Sequence, residues 1–246
     1  MPACAKSTWG RAVADPLLAL ADVRAGYGDA VVLDGISLEI AEGGSVAVLG
    51  RNGVGKTTLI LTIMGYTTVT RGALLWRGAS LAGMPSHRRA RRGLAWVAQE
   101  REIFPSLTVR ENLEICARPG RWNVERVFDL FPNLRSRLSN GGSQLSGGEQ
   151  QMLAVARALM TNPTVLLMDE PTEGLAPVIV QALMQVLLRL RGEGDLSIVL
   201  VEQNSRVALE FSARTAVMDR GRIVYDGPSE RLRKDPDFLA SLIAAQ

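Results

Sequence analysis

The octet Gly50-Arg51-Asn52-Gly53-Val54-Gly55-Lys56-Thr57 leaves this chain few folds to adopt. It fits G-x-x-x-x-G-K-[ST], and its flanks fit as well. An apolar β-type run, Ser45 to Leu49, precedes it, and a helix-like run, Thr58 to Met64, follows. A strand, a glycine-rich turn and a helix start in that order aim successive N–H groups and a partial positive charge at one point, so an anion is wanted there. Lys56 is long enough for the β- and γ-phosphates of a nucleoside triphosphate, the Thr57 hydroxyl is placed for Mg²⁺, and Thr58 can hydrogen-bond the α-phosphate. The expectation is an α/β chain built around a phosphate-binding loop.

At 246 residues, one α/β unit with a proper core is expected. A net charge of +3 is too small an excess to argue for nucleic acid. Cys4 and Cys116 lie far apart and show neither disulfide-framework nor metal spacing, which favours a reducing compartment. Apolar runs such as Val165 to Met168 and Ile198 to Val201 are strand-length, far short of the ~18 residues of a membrane span. Residues 1–16 contain no continuous apolar stretch and read as a loosely ordered extension rather than a signal peptide.

Along the chain, Leu17 to Ile40 alternates around two turn signals, Gly26 to Asp29 and Leu33 to Gly35, as antiparallel strands do. Tyr27 reads as a core or strand-edge residue ahead of a base-stacking platform, because a flat π surface serves either role. Gly72 to Leu81 reads as two short strands turning at Arg77-Gly78. Four arginines then crowd Arg88 to Arg92, more as a solvated helix face than as a site for an acidic partner. Leu94 to Ala98 reads as a buried strand ending at Gln99, a polar amide where α/β sheets meet ligands.

From Glu100 to Gln144 no strand is evident. Thr108 to Leu113 opens a helix with a capping box and Val124 to Leu130 reads as another, so the segment is expected to be a helical insertion. Leu145-Ser146-Gly147-Gly148-Glu149-Gln150 leads into a further helix. Ser146 and Glu149 suit a capping box, while two glycines at a helix start leave bare N–H groups for a phosphate-bearing partner. Val165 to Glu170 reads as a strand ending in two acids. Asp169 suits Mg²⁺ through water, and Glu170, across the pleat, can polarise a water for attack on a γ-phosphate. A helix to about Arg191, a strand Ser197 to Glu202, a hairpin turning at Arg220-Gly221 and a helix Leu239 to Ala245 complete the chain.

These motifs and their order resemble the nucleotide-binding subunits of ABC transporters from about Leu17 to the C-terminus. Gly50 to Thr57 matches Walker A, Gln99 the Q-loop glutamine, Leu145 to Gln150 the signature, and Val165 to Glu170 Walker B with its catalytic glutamate. The resemblance implies a P-loop NTPase (RecA-like) core with an antiparallel β-subdomain, and a helical subdomain inserted over about residues 100–160 of a nucleotide-binding domain spanning 17–246. It puts Tyr27 at the adenine-stacking position and Gln99 beside the metal, and implies ATP and Mg²⁺ as ligands. It further implies a head-to-tail dimer in which Ser146, Gly147, Gly148 and Glu149 of one subunit close on the ATP of the other. Two departures stand out. Gln203 occupies the place of the usual switch histidine, and the loop after Glu170, Pro171-Thr172-Glu173-Gly174-Leu175-Ala176-Pro177, lacks the usual aspartate. An amide can donate to a γ-phosphate but carries no charge.

That loop, Val201-Glu202-Gln203-Asn204, and Arg101 to Val109 resemble the ATP-binding subunits of bacterial branched-chain amino acid importers. The resemblance implies an unlike second ATP-binding subunit, two permeases, a periplasmic solute-binding protein and a peripheral place on the cytoplasmic face of the inner membrane. Urea and short-chain amide importers carry similar subunits. A soluble ABC ATPase of repair or translation is the alternative of another class, yet the Gln99–Leu145 stretch is too short for a long coiled coil and only one Walker A occurs. Gln203 raises a third reading, a nucleotide-gated module that scarcely hydrolyses.

Overall fold

The computed structural model describes residues 16–244; nearly all of the expected N-terminal extension lies outside them. In chain order, β1 (Leu18–Tyr27), β2 (Ala30–Ile40), β3 (Ser45–Leu49), α1 (Lys56–Met64), β4 (Thr68–Trp76), β5 (Ala79–Ser80), α2 (Ser86–Arg91) and β6 (Leu94–Val97) come first. The segment that follows is helical: α3 (Val109–Glu114), α4 (Val124–Leu130), α5 (Pro132–Arg135) and α6 (Gly147–Met160). Then come β7 (Val165–Asp169), α7 (Pro177–Glu193), β8 (Ser197–Glu202), α8 (Ser205–Phe211), β9 (Arg214–Asp219), β10 (Arg222–Pro228), α9 (Ser229–Lys234) and α10 (Pro236–Ala244).

Two sheets organise these elements. One is antiparallel, in the order β2-β1-β4-β5. The other runs β10-β9-β3-β8-β7-β6, parallel from β9 to β6 with β10 antiparallel at its edge. The parallel strands are buried on both faces, which is why Val165–Asp169 and Ser197–Glu202 read as unbroken buried runs rather than alternating ones. Their side chains still divide by the two-residue period. Leu166, Met168, Ile198 and Leu200 pack with α6, α7 and α8, whereas Val165, Leu167, Val199 and Val201 pack with α1 and the antiparallel sheet.

Two expectations need correction. Leu33 to Gly35 is no turn: β2 runs straight through it. Gly35 (φ +79°) and Asp22 opposite (φ +49°) sit at register shifts, so the turn-like residues mark a bulge. Nor are the four arginines one solvated face, for Arg89 is 5 % exposed. Its Nη1 donates to Thr62 O (2.9 Å) and Ile63 O (2.8 Å), its Nη2 to Leu81 O (2.9 Å) and its Nε to Met84 O (2.8 Å). A guanidinium therefore adds donors to Thr62 O and Ile63 O at the end of α1, the negative end of the helix dipole, and ties them to Leu81 O and Met84 O of the segment before α2. Arg88, Arg91 and Arg92 are exposed.

Side-chain caps begin four of the helices. Thr108 and Ser146 each form complete capping boxes with Glu111 and Glu149, and Asn123 and Asn204 cap α4 and α8. Among the described residues no helix is long and apolar enough to cross a membrane.

Candidate functional site at the strand ends

Four adjacent parallel strands, β3, β8, β7 and β6, end on the same side of the sheet. Beyond their carboxyl ends follow, respectively, the Gly50–Thr57 loop, Gln203, Glu170 and Gln99. This is where an open α/β sheet receives ligands. A cleft of about 240 Å³ opens there, lined by Asn52, Gly53, Gly55, Lys56, Thr57, Thr58, Gln99 and Glu170, with Val32 from β2.

The loop owes its shape to its glycines. Gly53 (φ +81°) and Gly55 (φ +103°) are left-handed, and Gly55 is the N-cap of α1 without any side-chain cap, so the first N–H groups of that helix face the cleft unserved. Gly50 meets a different demand: a Cβ there would lie 2.7 Å from Met218 O and 2.8 Å from Val54 Cγ2. Arg51 and Asn52 are exposed, Val54 is buried beneath the loop and Thr58 is buried in α1. The loop folds around its own lysine. Lys56 Nζ, almost wholly buried, donates to Arg51 O (2.8 Å) and pairs with Glu170 Oε1 at 2.9 Å.

Asp169 ends β7 at 1 % exposure, and neither carboxylate oxygen has a hydrogen-bond partner. Burial pushes its carboxyl up to about 6; the nearby Thr57 hydroxyl opposes this without making a bond of normal geometry. A buried acid with two idle oxygens beside a threonine hydroxyl is a donor set suited to a hard divalent cation. Glu170 follows with φ +45°, its N–H donating to Val201 O (2.9 Å).

The remaining predicted residues fall less simply. Gln99 is exposed and lines the cleft, and its Nε2 donates to Glu173 of the loop after β7, a partner that its motif does not announce. Gln203 is exposed beyond β8 but is not part of the cleft wall. Tyr27, 46 % exposed, ends β1 at the hairpin with its ring open to solvent. Ser146, Gly147, Gly148 and Glu149 begin α6 and line no part of the cleft. Ser146 Oγ donates to Glu149 Oε2 (2.8 Å), and the Ser146 backbone bond to that carboxylate leads in holding its pKa below the ordinary range. Gly147 is exposed, but Gly148 is buried, and a Cβ there would strike Ile179 Cγ2 at 2.7 Å. The second glycine thus answers a packing demand from α7 that its own motif does not disclose.

Sequence reasoning missed Glu202, the last residue of β8 and 2 % exposed. Its Oε1 accepts from Thr172 Oγ1 (2.8 Å) and Thr172 N (3.3 Å). Only its identity as an acid closing an apolar strand could have flagged it. Burial, aided by the charge of Glu170, pushes this carboxyl from 4.5 up to about 7 against the Thr172 and Asn204 hydrogen bonds. In the unfolded chain it ionises near its ordinary value, so between roughly pH 4.5 and 7 the native state holds the extra proton and loses stability as pH rises. The expected outcome is a stability difference between pH 5 and pH 8 that shrinks by on the order of 3 kcal/mol in Glu202→Gln. Chemical denaturation of both proteins at the two pH values checks this, and equal differences would refute it.

A phosphate loop, an orphaned strand-end aspartate and a neighbouring glutamate on one parallel sheet define an α/β protein that binds and hydrolyses a nucleoside triphosphate. The chain belongs to the ABC transporter family, whose model matches residues 33–173. It is 39% identical over 215 residues, 85% of this chain and 92% of the relative, to the high-affinity branched-chain amino acid transport ATP-binding protein BraG of Pseudomonas aeruginosa. It is also 35% identical over 227 residues, 90% of this chain and 96% of the relative, to the probable branched-chain amino acid transport ATP-binding protein LivF of Archaeoglobus fulgidus. A solved dimeric cassette in a post-hydrolysis state, bound to ADP and Pi, superposes with a TM-score of 0.75 at 26% identity, covering 86% of this chain and 98% of that one. The protein is the ATP-binding, ATP-hydrolysing subunit of an ABC transporter.

Proposed function

We propose that this subunit energises an importer of branched-chain amino acids. The observation that carries the reading is the assembly of Lys56, Thr57, Glu170 and Gln99 around one cleft, with the buried Asp169 next to Glu170 in sequence, in a chain whose two relatives above are named for that transport. In this reading the free N–H groups of the Gly50–Thr57 loop and the Lys56 ammonium bind the phosphates of ATP, Thr58 reaches the α-phosphate, and Tyr27 stacks on the base. Thr57, Asp169 and Gln99 are the residues that would hold Mg²⁺. When bound, Mg²⁺ supplies neutralisation of the charge that develops on the phosphoryl oxygens. Glu170 accepts a proton from the attacking water, and Gln203 donates a hydrogen bond to the γ-phosphate.

Ser146 to Glu149 sit away from the cleft of their own chain. This supports a head-to-tail arrangement in which they close on the ATP of a second, unlike ATP-binding subunit. The remaining partners are two permeases, supplied by a periplasmic binding protein, with the chain held peripherally at the cytoplasmic face of the inner membrane.

Uptake of labelled leucine, urea and acetamide by cells lacking this chain, complemented with wild type or Lys56→Ala, tests the reading. Leucine uptake is expected to be lost without the chain and restored by wild type alone. Loss of urea or acetamide uptake instead would transfer the assignment to that solute. Unchanged uptake of all three, in a strain without a duplicate subunit, would overturn the importer reading.

A further inference from the structure

Glu202 is a buried acid with no cation paired to it among the described residues, and none of the roles assigned above uses it. Its surroundings give it one. Its backbone O accepts from Gly50 N, the first residue of the phosphate loop, at 3.3 Å. Its Oε1 accepts both donors of Thr172, which follows Glu170 by two residues. Gln203 is its immediate neighbour. One residue therefore touches the phosphate loop, precedes the switch position and grips the loop that carries Glu170.

That loop needs a grip. Glu170 is in the left-handed region at φ +45°, a strained conformation for a residue with a side chain that persists only where its surroundings enforce it. Enforcement comes from both sides: Glu170 N donates to Val201 O (2.9 Å), Glu170 O accepts from Glu173 N (3.1 Å), and between these Thr172 is pinned to Glu202. Thr172 is itself 7 % exposed, so water does not compete for the bond.

We propose that Glu202, through Thr172, is a positioning residue that holds Glu170 in register with the phosphate loop, so that Glu170 addresses the attacking water only while this brace is intact. The inference rests on Glu170 being the catalytic base. Positioning affects the chemical step and leaves nucleotide affinity alone, because neither Thr172 nor Glu202 lines the phosphate cleft.

The test uses the transporter complex purified through a tag on this chain, comparing wild type, Thr172→Val, Thr172→Ser, Glu202→Gln and Glu170→Gln for kcat, KM for ATP and binding of a fluorescent ATP analogue. Thr172→Val, which removes only the hydroxyl, is expected to lower kcat about tenfold with KM and analogue binding within about twofold of wild type. Thr172→Ser restores kcat to within about twofold, because the hydroxyl returns. Glu202→Gln keeps an accepting oxygen but replaces the carboxyl with an amide whose second group can only donate, and falls between them. Wild-type kcat in Thr172→Val, a parallel loss of analogue binding, or failure of the serine to restore activity would overturn the brace. If Thr172→Val does not fold, Glu202→Gln decides, and wild-type kcat there refutes the proposal. Hydrolysis at the wild-type rate by Glu170→Gln would remove the catalytic reading beneath it instead.

Discussion

Glu170→Gln is expected to stop hydrolysis while keeping ATP. General-base assistance contributes on the order of 10²–10⁴ in rate, so kcat should fall by at least about 100-fold, since an amide of the same shape accepts no proton. The structure adds a second expectation. Glu170 is paired with Lys56 at 2.9 Å, inside the loop that receives the phosphates. Removing its charge removes a competitor for the ammonium, which keeps Arg51 O as a partner. ATP affinity in Glu170→Gln should therefore equal or exceed that of wild type. Phosphate release and equilibrium nucleotide binding, measured on the same preparations, check both halves. Wild-type phosphate release would exclude Glu170 as the base, and weakened ATP binding would exclude the competition.

Arg89→Ala should produce the largest loss of stability away from the cleft. Four carbonyls would lose the Arg89 donor; Thr62 O and Leu81 O keep Gly65 N and Met84 N, while Ile63 O and Met84 O would be left stranded, and Arg89 is 5 % exposed. Stranding these acceptors and opening a cavity costs roughly 3–5 kcal/mol, near the top of the range for single substitutions. For a chain of this size that corresponds to a melting temperature lower by roughly 10 °C. Arg89→Lys, with one ammonium in place of a planar fork, should recover only part of it. A melting temperature for Arg89→Ala within about 2 °C of wild type would show that Arg89 is not the clasp of the α1 end.

Why Arg89 escaped the sequence reading is instructive. Its neighbours Arg88, Arg91 and Arg92 are solvated, and one-dimensional charge patterning cannot tell which member of a cluster turns inward. The determinant is Gly65, at φ +87° after α1, where a Cβ would lie 2.8 Å from Arg89 Nε. Distant positions meet there. Local signals did better: Val124–Leu130 and Ser197–Glu202 lie where their patterns put them, and the capping boxes at Thr108 and Ser146 are formed. Gly35 misled because a bulge and a turn ask for the same residue. The helix Ser205–Phe211, capped by Asn204, spans only seven residues, too few for an apolar period to stand out in the sequence. In the candidate site, residue types and spacing announced each group singly. The partners that fix them, Glu173 on Gln99, Ile179 against Gly148 and Thr172 on Glu202, come from across the chain and leave no periodic trace.

In the proposed function, the pairing of Lys56 with Glu170 would make nucleotide entry an exchange rather than an addition. The cation of the phosphate loop already has an anion, tethered to the same chain and so present at an effective concentration that a free ligand must outbid. On the proposed reading, a triphosphate that wins Lys56 would release Glu170 in the same event, so the base would become available only when there is something for it to act on. Departure of the phosphate would then return the lysine to its internal anion.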